Sequence, residues 1–221
     1  MRTKKWDLYL GALQEDESLC GYDHTPENMR FITKLIPPDT FPALLDIGCG
    51  NGLEAKILKD FGYQVTGLIR GDANWKYAFD NFPDVCFIEG DFHDLYIKSG
   101  LFNAVYMNHV FEHSYAPFIF LLELNCILTD GGRIWIGGPE FNELDDPRGE
   151  LNRQRYHHHP NVICYNSLKT MFDSAGFKIL YNTPIKNNPY FDNPYLLEKK
   201  PFDQLHPDVQ KAILKRKEVF S

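Results

Sequence analysis

The chain has 221 residues, which allows one domain or two small ones, and a domain of this size buries enough surface to fold without a metal or a disulfide. Its apolar fraction of 43% and charged fraction of 24% exclude a disordered chain. Acidic residues outnumber basic ones 30 to 23, and the net charge of −7 argues against a broad basic surface for nucleic acid.

Short apolar runs alternate with helical patterns along most of the chain. From the N-terminus, these patterns predict helix 26–36, strand 43–47, helix 53–61, strand 63–69, helix 73–82, strands 85–89 and 103–107, helix 117–128, a turn at 129–132, strand 133–137, helix 166–175, strands 177–181 and 195–199, and a helix near 209–214. Strands that alternate with helices of this length imply right-handed crossovers. We therefore expect an α/β fold with a doubly wound, mostly parallel sheet and helices on both faces.

The most informative segment runs from Asp46 to Gly52, with the sequence Asp-Ile-Gly-Cys-Gly-Asn-Gly, where a predicted strand passes into a helix. Glycines at 48, 50 and 52 allow a sharp turn and a close approach of the backbone to a ligand. The third glycine comes one position earlier than in the dinucleotide pattern G-x-G-x-x-G. This spacing, with no acidic residue at the end of the next strand, disfavours a nicotinamide-dependent oxidoreductase.

At this loop the chain resembles the class I S-adenosylmethionine-dependent methyltransferases, and it is most similar to the small-molecule branch that includes the ubiquinone- and menaquinone-type enzymes. The resemblance spans roughly residues 40–200 and rests on segments 46–52, 89–95, 102–113, 128–133 and 174–177. It implies a Rossmann-like sheet of seven strands with the last strand antiparallel. It also implies S-adenosylmethionine as cofactor and a small-molecule methyl acceptor, with no nucleic-acid partner.

The resemblance divides a single domain, residues 1–221, into five parts. We expect an N-terminal cap (1–36), a cofactor-binding half (40–138), a substrate lid (139–165), the last helix and strands (166–200) and a C-terminal helix (201–221).

Cysteine usage and hydropathy predict a cytoplasmic location. The five cysteines, at 20, 49, 86, 126 and 164, are odd in number and widely spaced, which favours a reducing compartment over a disulfide framework. No apolar signal core follows the basic N-terminus, and no apolar run reaches 18 residues. We expect no membrane span, and the sequence does not indicate an oligomeric state.

The resemblance implies a role in cofactor binding for Asp46, Gly48, Cys49, Gly50, Ile69, Asp91, Phe92 and Asn108. Gly48 and Gly50 would place backbone against the methionine part of the cofactor, and Asp46 would hold the loop and the cofactor's ammonium group. Asp91 would accept a hydrogen bond from the adenine amino group, with the Phe92 backbone on the ring. Asn108 would line the floor beneath the sulfur that carries the methyl group.

Ile69 stands where the family usually has an acidic residue that accepts hydrogen bonds from both ribose hydroxyls. An isoleucine cannot accept these bonds, and the charge-assisted interaction that is lost is worth roughly 1.5–3 kcal/mol. Two explanations stay open. Either Asp72 or water replaces the acid, or the site has decayed and the chain is a catalytically inactive binding subunit.

Methyl transfer to a hydroxyl needs a group that removes a proton, and histidine titrates near neutral pH. His109 and His113 follow the fourth predicted strand at its carboxyl end, so they are the candidate catalytic bases. The alternative is that His113, together with Glu112, packs the loop and starts the next helix.

The predicted lid holds four candidate acceptor-binding residues, Arg148, Arg155, His157 and His158. Arginine presents a planar fork suited to phosphate or carboxylate, so an anionic small molecule would fit. The alternative is that the arginines pair with neighbouring acids on a solvated loop. The triple histidine at 157–159 does not favour a metal site, because adjacent side chains in an extended segment alternate in direction and no acidic or cysteine partner stands at ligand spacing.

Overall fold

The computed structural model describes residues 25–137, 165–182 and 194–219. The predicted N-terminal cap lies mostly outside these residues, as does nearly all of the predicted lid. No helix within the described ranges is both long enough and apolar enough to cross a membrane.

Seven strands and seven helices make up the described structure. The strands are β1 (Ala43–Ile47), β2 (Gln64–Ile69), β3 (Cys86–Glu89), β4 (Phe102–Asn108), β5 (Leu128–Gly137), β6 (Phe177–Asn182) and β7 (Tyr195–Lys199). The helices are α1 (Pro26–Met29), α2 (Ile32–Leu35), α3 (Leu53–Asp60), α4 (Asp72–Asn81), α5 (Pro117–Ile127), α6 (Tyr165–Ser174) and α7 (Pro207–Val219), and short 3₁₀ turns cover Phe111–His113 and Phe202–Gln204.

The strands form one sheet in the order β3-β2-β1-β4-β5-β7-β6. Strand β7 runs antiparallel to both of its neighbours, and the other pairs are parallel. The predicted doubly wound sheet with an antiparallel last strand is therefore confirmed. Chain order reverses between β1 and β4, so the loops that follow these two strands lie side by side at the position where such sheets bind ligands.

Each face of the sheet has its own hydrophobic core. In β1, Leu45 belongs to one buried cluster and Leu44 to the other, and in β4 the same holds for Met107 and Tyr106. Side chains of a strand point alternately to its two faces, so both faces of these central strands are covered. The continuous apolar runs in the sequence follow from this double burial.

Strand β5 begins earlier than the sequence predicts. Phe102 of β4 pairs with Leu128, and the next paired residue, Ala104, lies opposite Arg133, so residues 129–132 form an irregularity within the strand. Gly131 has a φ of +72°, which glycine adopts without strain. The sequence predicts a turn that precedes the strand. In the structure these four residues lie within β5, because β4 pairs with Leu128 before them and with Arg133 after them.

The C-terminal helix α7 buries Val209 and Ile213 against Leu205 and Cys126. Leu214, expected on the same face, is exposed. The N-terminal helix also differs from the prediction, because it is split into α1 and α2.

Candidate active site

Buried polar side chains gather where the chain order of the sheet reverses. Asp46 lies in β1, Asn108 ends β4, and Glu112 and Ser114 follow in the next loop; all four are buried. Among the described residues, no hydrogen-bond partner meets Asp46 Oδ2, either amide atom of Asn108, either carboxylate oxygen of Glu112 or Ser114 Oγ. Buried polar groups are hydrogen-bonded in most proteins, so such a group of unmet atoms at one edge of a sheet marks a candidate binding site.

Asp46 is almost completely buried, with 1% of its surface exposed. It lies opposite Gly67 of β2 and Tyr106 of β4, in the middle of the sheet. Burial raises the pKa of its carboxyl to about 8. The carboxyl is therefore mostly protonated at neutral pH, and a cation placed beside it would favour the charged form.

The glycine loop after β1 is held down on β2. The amides of Gly48 and Cys49 both donate to the Leu68 carbonyl, at 3.1 and 3.2 Å. Gly48 has a φ of +71°, and a Cβ there would lie 2.6 Å from Cγ2 of Val110, in the loop after β4. Gly48 therefore serves the contact between the two loops, and a side chain at this position would disturb the fold.

The other residues of the glycine loop differ in whether they serve packing or could meet a ligand. A Cβ at Gly52 would lie 2.8 Å from the Phe87 ring, so this glycine also serves packing. The Cys49 side chain is buried, and a Cβ at Gly67 would lie 2.7 Å from its sulfur. Burial, followed by the charge of Asp46, raises the pKa of the Cys49 thiol. Cys49 can therefore offer a ligand only its backbone, and Gly50, with a φ of +51°, adopts a left-handed conformation that glycine takes without strain.

Ile69 is part of the core and not of a pocket wall. Its side chain is 1% exposed and belongs to the cluster that contains Leu44 and Tyr106. The residues that follow, Arg70 and Asp72, are exposed. The structure thus places no acceptor at position 69 itself.

Asp91 forms a pair with His93, which the sequence analysis missed. Asp91 Oδ1 lies 2.7 Å from His93 Nδ1 and accepts a bond of 3.0 Å from the His93 amide. The Tyr115 amide donates to His93 Nε2 at 3.3 Å, so the imidazole ring lies between Asp91 and the loop after β4. The only available signal was the spacing of Asp and His two residues apart, which permits a local turn.

The Asp91 carboxyl stays charged across the working pH range. Its partial burial would raise the pKa, but the side-chain and backbone hydrogen bonds of His93 and the charges of His93 and Arg70 outweigh burial and bring the pKa to about 2. Phe92 lies beside this pair, with its ring centroid 4.1 Å from that of His93. Asp91 is therefore a strong hydrogen-bond acceptor next to an aromatic surface.

Of the two candidate bases, His109 lies close to the carboxylate of Glu112. His109 Nδ1 lies 3.5 Å from Oε1 of the buried Glu112. His109 also has a φ of +53°, the one positive value for a non-glycine residue in the described parts of the chain. Such strained backbone is concentrated at functional sites. His113 lies in the 3₁₀ turn, and its amide donates to the Val110 carbonyl at 3.0 Å.

The candidate acceptor-binding residues Arg148, Arg155, His157 and His158 lie outside the described residues and remain a prediction. Within the described ranges, no group of three or more His, Cys, Asp or Glu side chains is placed to hold a metal ion.

The segment that holds Asp46, Asp91, Asn108 and Glu112 is similar to a known protein family. Residues 45–136 match the family model described as a methyltransferase domain. This match runs from β1 into β5 and includes Asp46, Asp91, Asn108 and Glu112. Residues 45–136 therefore resemble a methyltransferase domain, and the strand order of the sheet is that of the class I methyltransferase fold. The domain family uses S-adenosylmethionine, so its match and the fold together imply that cofactor.

Known proteins resemble this chain in sequence or in fold, and they differ in how much of their length the resemblance covers. A curated protein of Streptomyces fradiae, an uncharacterized 37.1 kDa protein in transposon TN4556, is 29% identical over 155 residues, which cover 64% of this chain and 45% of that protein. This chain therefore spans less than half the length of that relative. The S-adenosylmethionine-dependent methyltransferase of Mesorhizobium loti superposes with a TM-score of 0.64 at 14% identity, covering 81% of this chain and 100% of that one. The 4+2 cyclase SpnF superposes with a TM-score of 0.65 at 18% identity, covering 85% of this chain and 86% of that one.

Proposed function

We propose that this chain transfers a methyl group from S-adenosylmethionine to a hydroxyl oxygen of a small-molecule acceptor. The observation that carries the proposal is the buried Asp46 carboxyl, whose Oδ2 has no hydrogen-bond partner among the described residues. It lies beneath the glycine loop of the matched methyltransferase domain, where a ligand ammonium group would supply the missing partner.

Three described residues fit the cofactor. Asp46 would bind its ammonium group, Asp91 would accept from the adenine amino group, and the partnerless amide of Asn108 would lie beneath its sulfur. S-adenosylmethionine would supply a methyl group bonded to a sulfonium sulfur. In an in-line displacement this sulfur is a good leaving group and departs as a neutral thioether. The protein's part is then to align the acceptor, exclude water and remove the acceptor's proton.

His109 is the favoured base. Its Nδ1 faces the Glu112 carboxylate, so Nε2 is the nitrogen that would take the proton of the acceptor hydroxyl. At 3.5 Å the Glu112 carboxylate makes no hydrogen bond to His109, but its negative charge would stabilise the imidazolium that forms. The backbone of His113 is held within the 3₁₀ turn by its bond to the Val110 carbonyl, and we assign this residue to the loop.

The acceptor is proposed to be an anionic small molecule, held by Arg148, Arg155, His157 and His158. This part rests on the sequence, because an acidic chain gathers positive charge into one short segment. A cytoplasmic location is proposed on the same basis, from the spacing of the cysteines.

The second candidate is a methyltransferase-fold protein that binds the cofactor without transferring its methyl group. Ile69 favours it, because the position of the ribose acid is filled by the core. SpnF is a cyclase with this fold, so the fold alone does not decide the reaction.

Calorimetric titration with S-adenosylmethionine, S-adenosylhomocysteine and NAD tests the proposal. We expect the first two to bind and NAD to give no heat. Asp46→Asn should weaken S-adenosylhomocysteine binding by about 10- to 150-fold, the value of one hydrogen bond between charged groups. The exposed Asp39→Asn is the matched control. Formation of S-adenosylhomocysteine from S-adenosylmethionine with a panel of hydroxylated anions then separates the enzyme from the binding protein.

A further inference from the structure

We propose that Glu89, the last residue of β3, supplies the ribose-hydroxyl acceptor that β2 lacks. This inference rests on the proposed function and deepens it, because it assigns a specificity residue to the same cofactor site. Nothing in the family resemblance points to this position as a ribose ligand.

The order of the strands fixes where the ribose must lie. Asp46 belongs to β1 and Asp91 follows β3, and β2 lies between these two strands. A cofactor whose ammonium group meets Asp46 and whose adenine meets Asp91 therefore carries its ribose over the carboxyl end of β2. That end is Ile69, whose side chain is turned into the core and cannot accept a hydrogen bond.

The register of β2 and β3 places Glu89 beside this gap. The two strands are parallel, and Ile69 lies directly opposite Glu89. Adjacent strands are about 4.8 Å apart, which is within the reach of a glutamate side chain. Phe87, two residues before Glu89, packs in the same cluster as Ile69. Side chains two residues apart in a strand lie on the same face of the sheet, so Glu89 shares a face with Ile69.

The backbone holds Glu89 firmly at this place. The amide of the next residue, Gly90, donates to the Ile69 carbonyl at 2.9 Å. A Cβ at Gly90 would lie 2.8 Å from Cδ1 of Leu68, so the two strand ends are in close contact. Glu89 itself is exposed, and no hydrogen bond or ion pair among the described residues engages its carboxylate.

Two neighbours are weaker candidates. Arg70 is close enough to influence Asp91, but a guanidinium only donates hydrogen bonds and cannot accept from a hydroxyl. Asp72 is exposed at the start of α4, beyond the left-handed Gly71, and no strand pairing ties it to the end of β2. Asp72 therefore serves as the matched comparison for Glu89.

The experiment compares S-adenosylhomocysteine with its 2′,3′-dideoxy analogue by calorimetry, in wild type, Glu89→Gln and Asp72→Asn. We expect wild type and Asp72→Asn to prefer the ribose form by about 10- to 150-fold. Glu89→Gln should lose part of this preference, because its neutral amide oxygen accepts hydrogen bonds more weakly than a carboxylate, while binding of the analogue should not change. Because Glu89 is exposed, its variant should keep the wild-type circular dichroism spectrum.

Each other outcome decides against the inference in its own way. An unchanged preference in Glu89→Gln overturns it and leaves the proposed function intact. A preference lost in Asp72→Asn instead assigns the ribose to α4. If wild type binds neither ligand, the proposed function fails and this inference fails with it.

Discussion

Two regions of this molecule bury ionisable side chains, and the hydrogen-bond partners of these side chains differ. Arg216 of α7 is 8% exposed, and its guanidinium donates to the Glu123 carboxylate and to the carbonyls of Leu95 and Ile97 at 2.9 and 3.2 Å. Asp46 is buried more deeply, and its Oδ2 meets no partner among the described residues. A buried charge that the protein satisfies itself fixes the fold, whereas one that it leaves unmet is available to a ligand.

The comparison predicts that side chains in the two regions affect different measurements. Residues around Asp46 should alter binding and turnover more than stability, and residues around Arg216 should do the reverse.

His109→Ala should lower turnover by roughly 10²- to 10⁴-fold, because the acceptor hydroxyl loses its general base. The affinity for S-adenosylhomocysteine should stay within a few-fold of wild type. Initial rates of S-adenosylhomocysteine formation measure the effect, and His113→Ala is the matched control. If His113→Ala abolishes turnover and His109→Ala does not, the assignment of the two histidines is reversed.

Arg216→Ala should lower the free energy of unfolding by about 3–5 kcal/mol, because it leaves a buried cluster of acceptors without a donor. Urea unfolding measures this loss, with the exposed neighbour change Lys215→Ala as the control. Cofactor affinity, measured where both proteins are folded, should not change. A stable Arg216→Ala protein with weakened binding would contradict the comparison.

Ile69→Asp should destabilise the protein by about 1–3 kcal/mol or more, since a carboxyl without a partner enters the core. Although the family has an acid at this position, residue 69 is buried in an apolar cluster of this structure, and the ribose preference should not increase. Thermal unfolding and the dideoxy comparison measure the two effects. A stable variant with tighter binding would show that position 69 faces the ligand.

Asp46→Asn should stabilise the ligand-free protein at pH 8 relative to wild type. The folded-state pKa of Asp46 is about 8 against a reference value of 3.8, so the folded protein keeps a proton that the unfolded chain releases. Stability therefore falls as pH rises from about 4 to about 8 and is constant above that range. The variant should lose this slope, which unfolding at several pH values would reveal; an unchanged slope would assign it to another group.

The sequence predicted most of the fold because its main signals are local. Glycine spacing and the alternation of short apolar runs with helical patterns are sufficient to predict a doubly wound sheet. The start of β5 was missed because residues 129–132 have turn composition, and only the pairing of β4 on both sides of them shows a continuous strand. Propensity cannot indicate such a pairing.

The sequence indicates candidate positions for the site but not the contacts of their side chains, and the roles of these residues stay predictions. Asp46 and Asn108 follow from the motif, and their buried, unmet atoms are consistent with those roles. The contact of Glu112 with His109 and that of Asp91 with His93 depend on side-chain packing, which no spacing rule supplies. The acceptor opposite Ile69 depends on the register between two strands, which the sequence of either strand alone does not contain.

The most direct test of the account is the proton balance of S-adenosylhomocysteine binding. If the ligand's ammonium group meets Asp46, the carboxyl must give up the proton that burial lets it keep. Calorimetry at pH 7 in buffers of different ionisation enthalpy should then show release of about one proton for each ligand bound, and affinity should rise about tenfold per pH unit between about pH 6 and 8 before levelling off. Binding without proton release, at an affinity that is constant over this range, would contradict the assignment of Asp46 as the cofactor's buried partner.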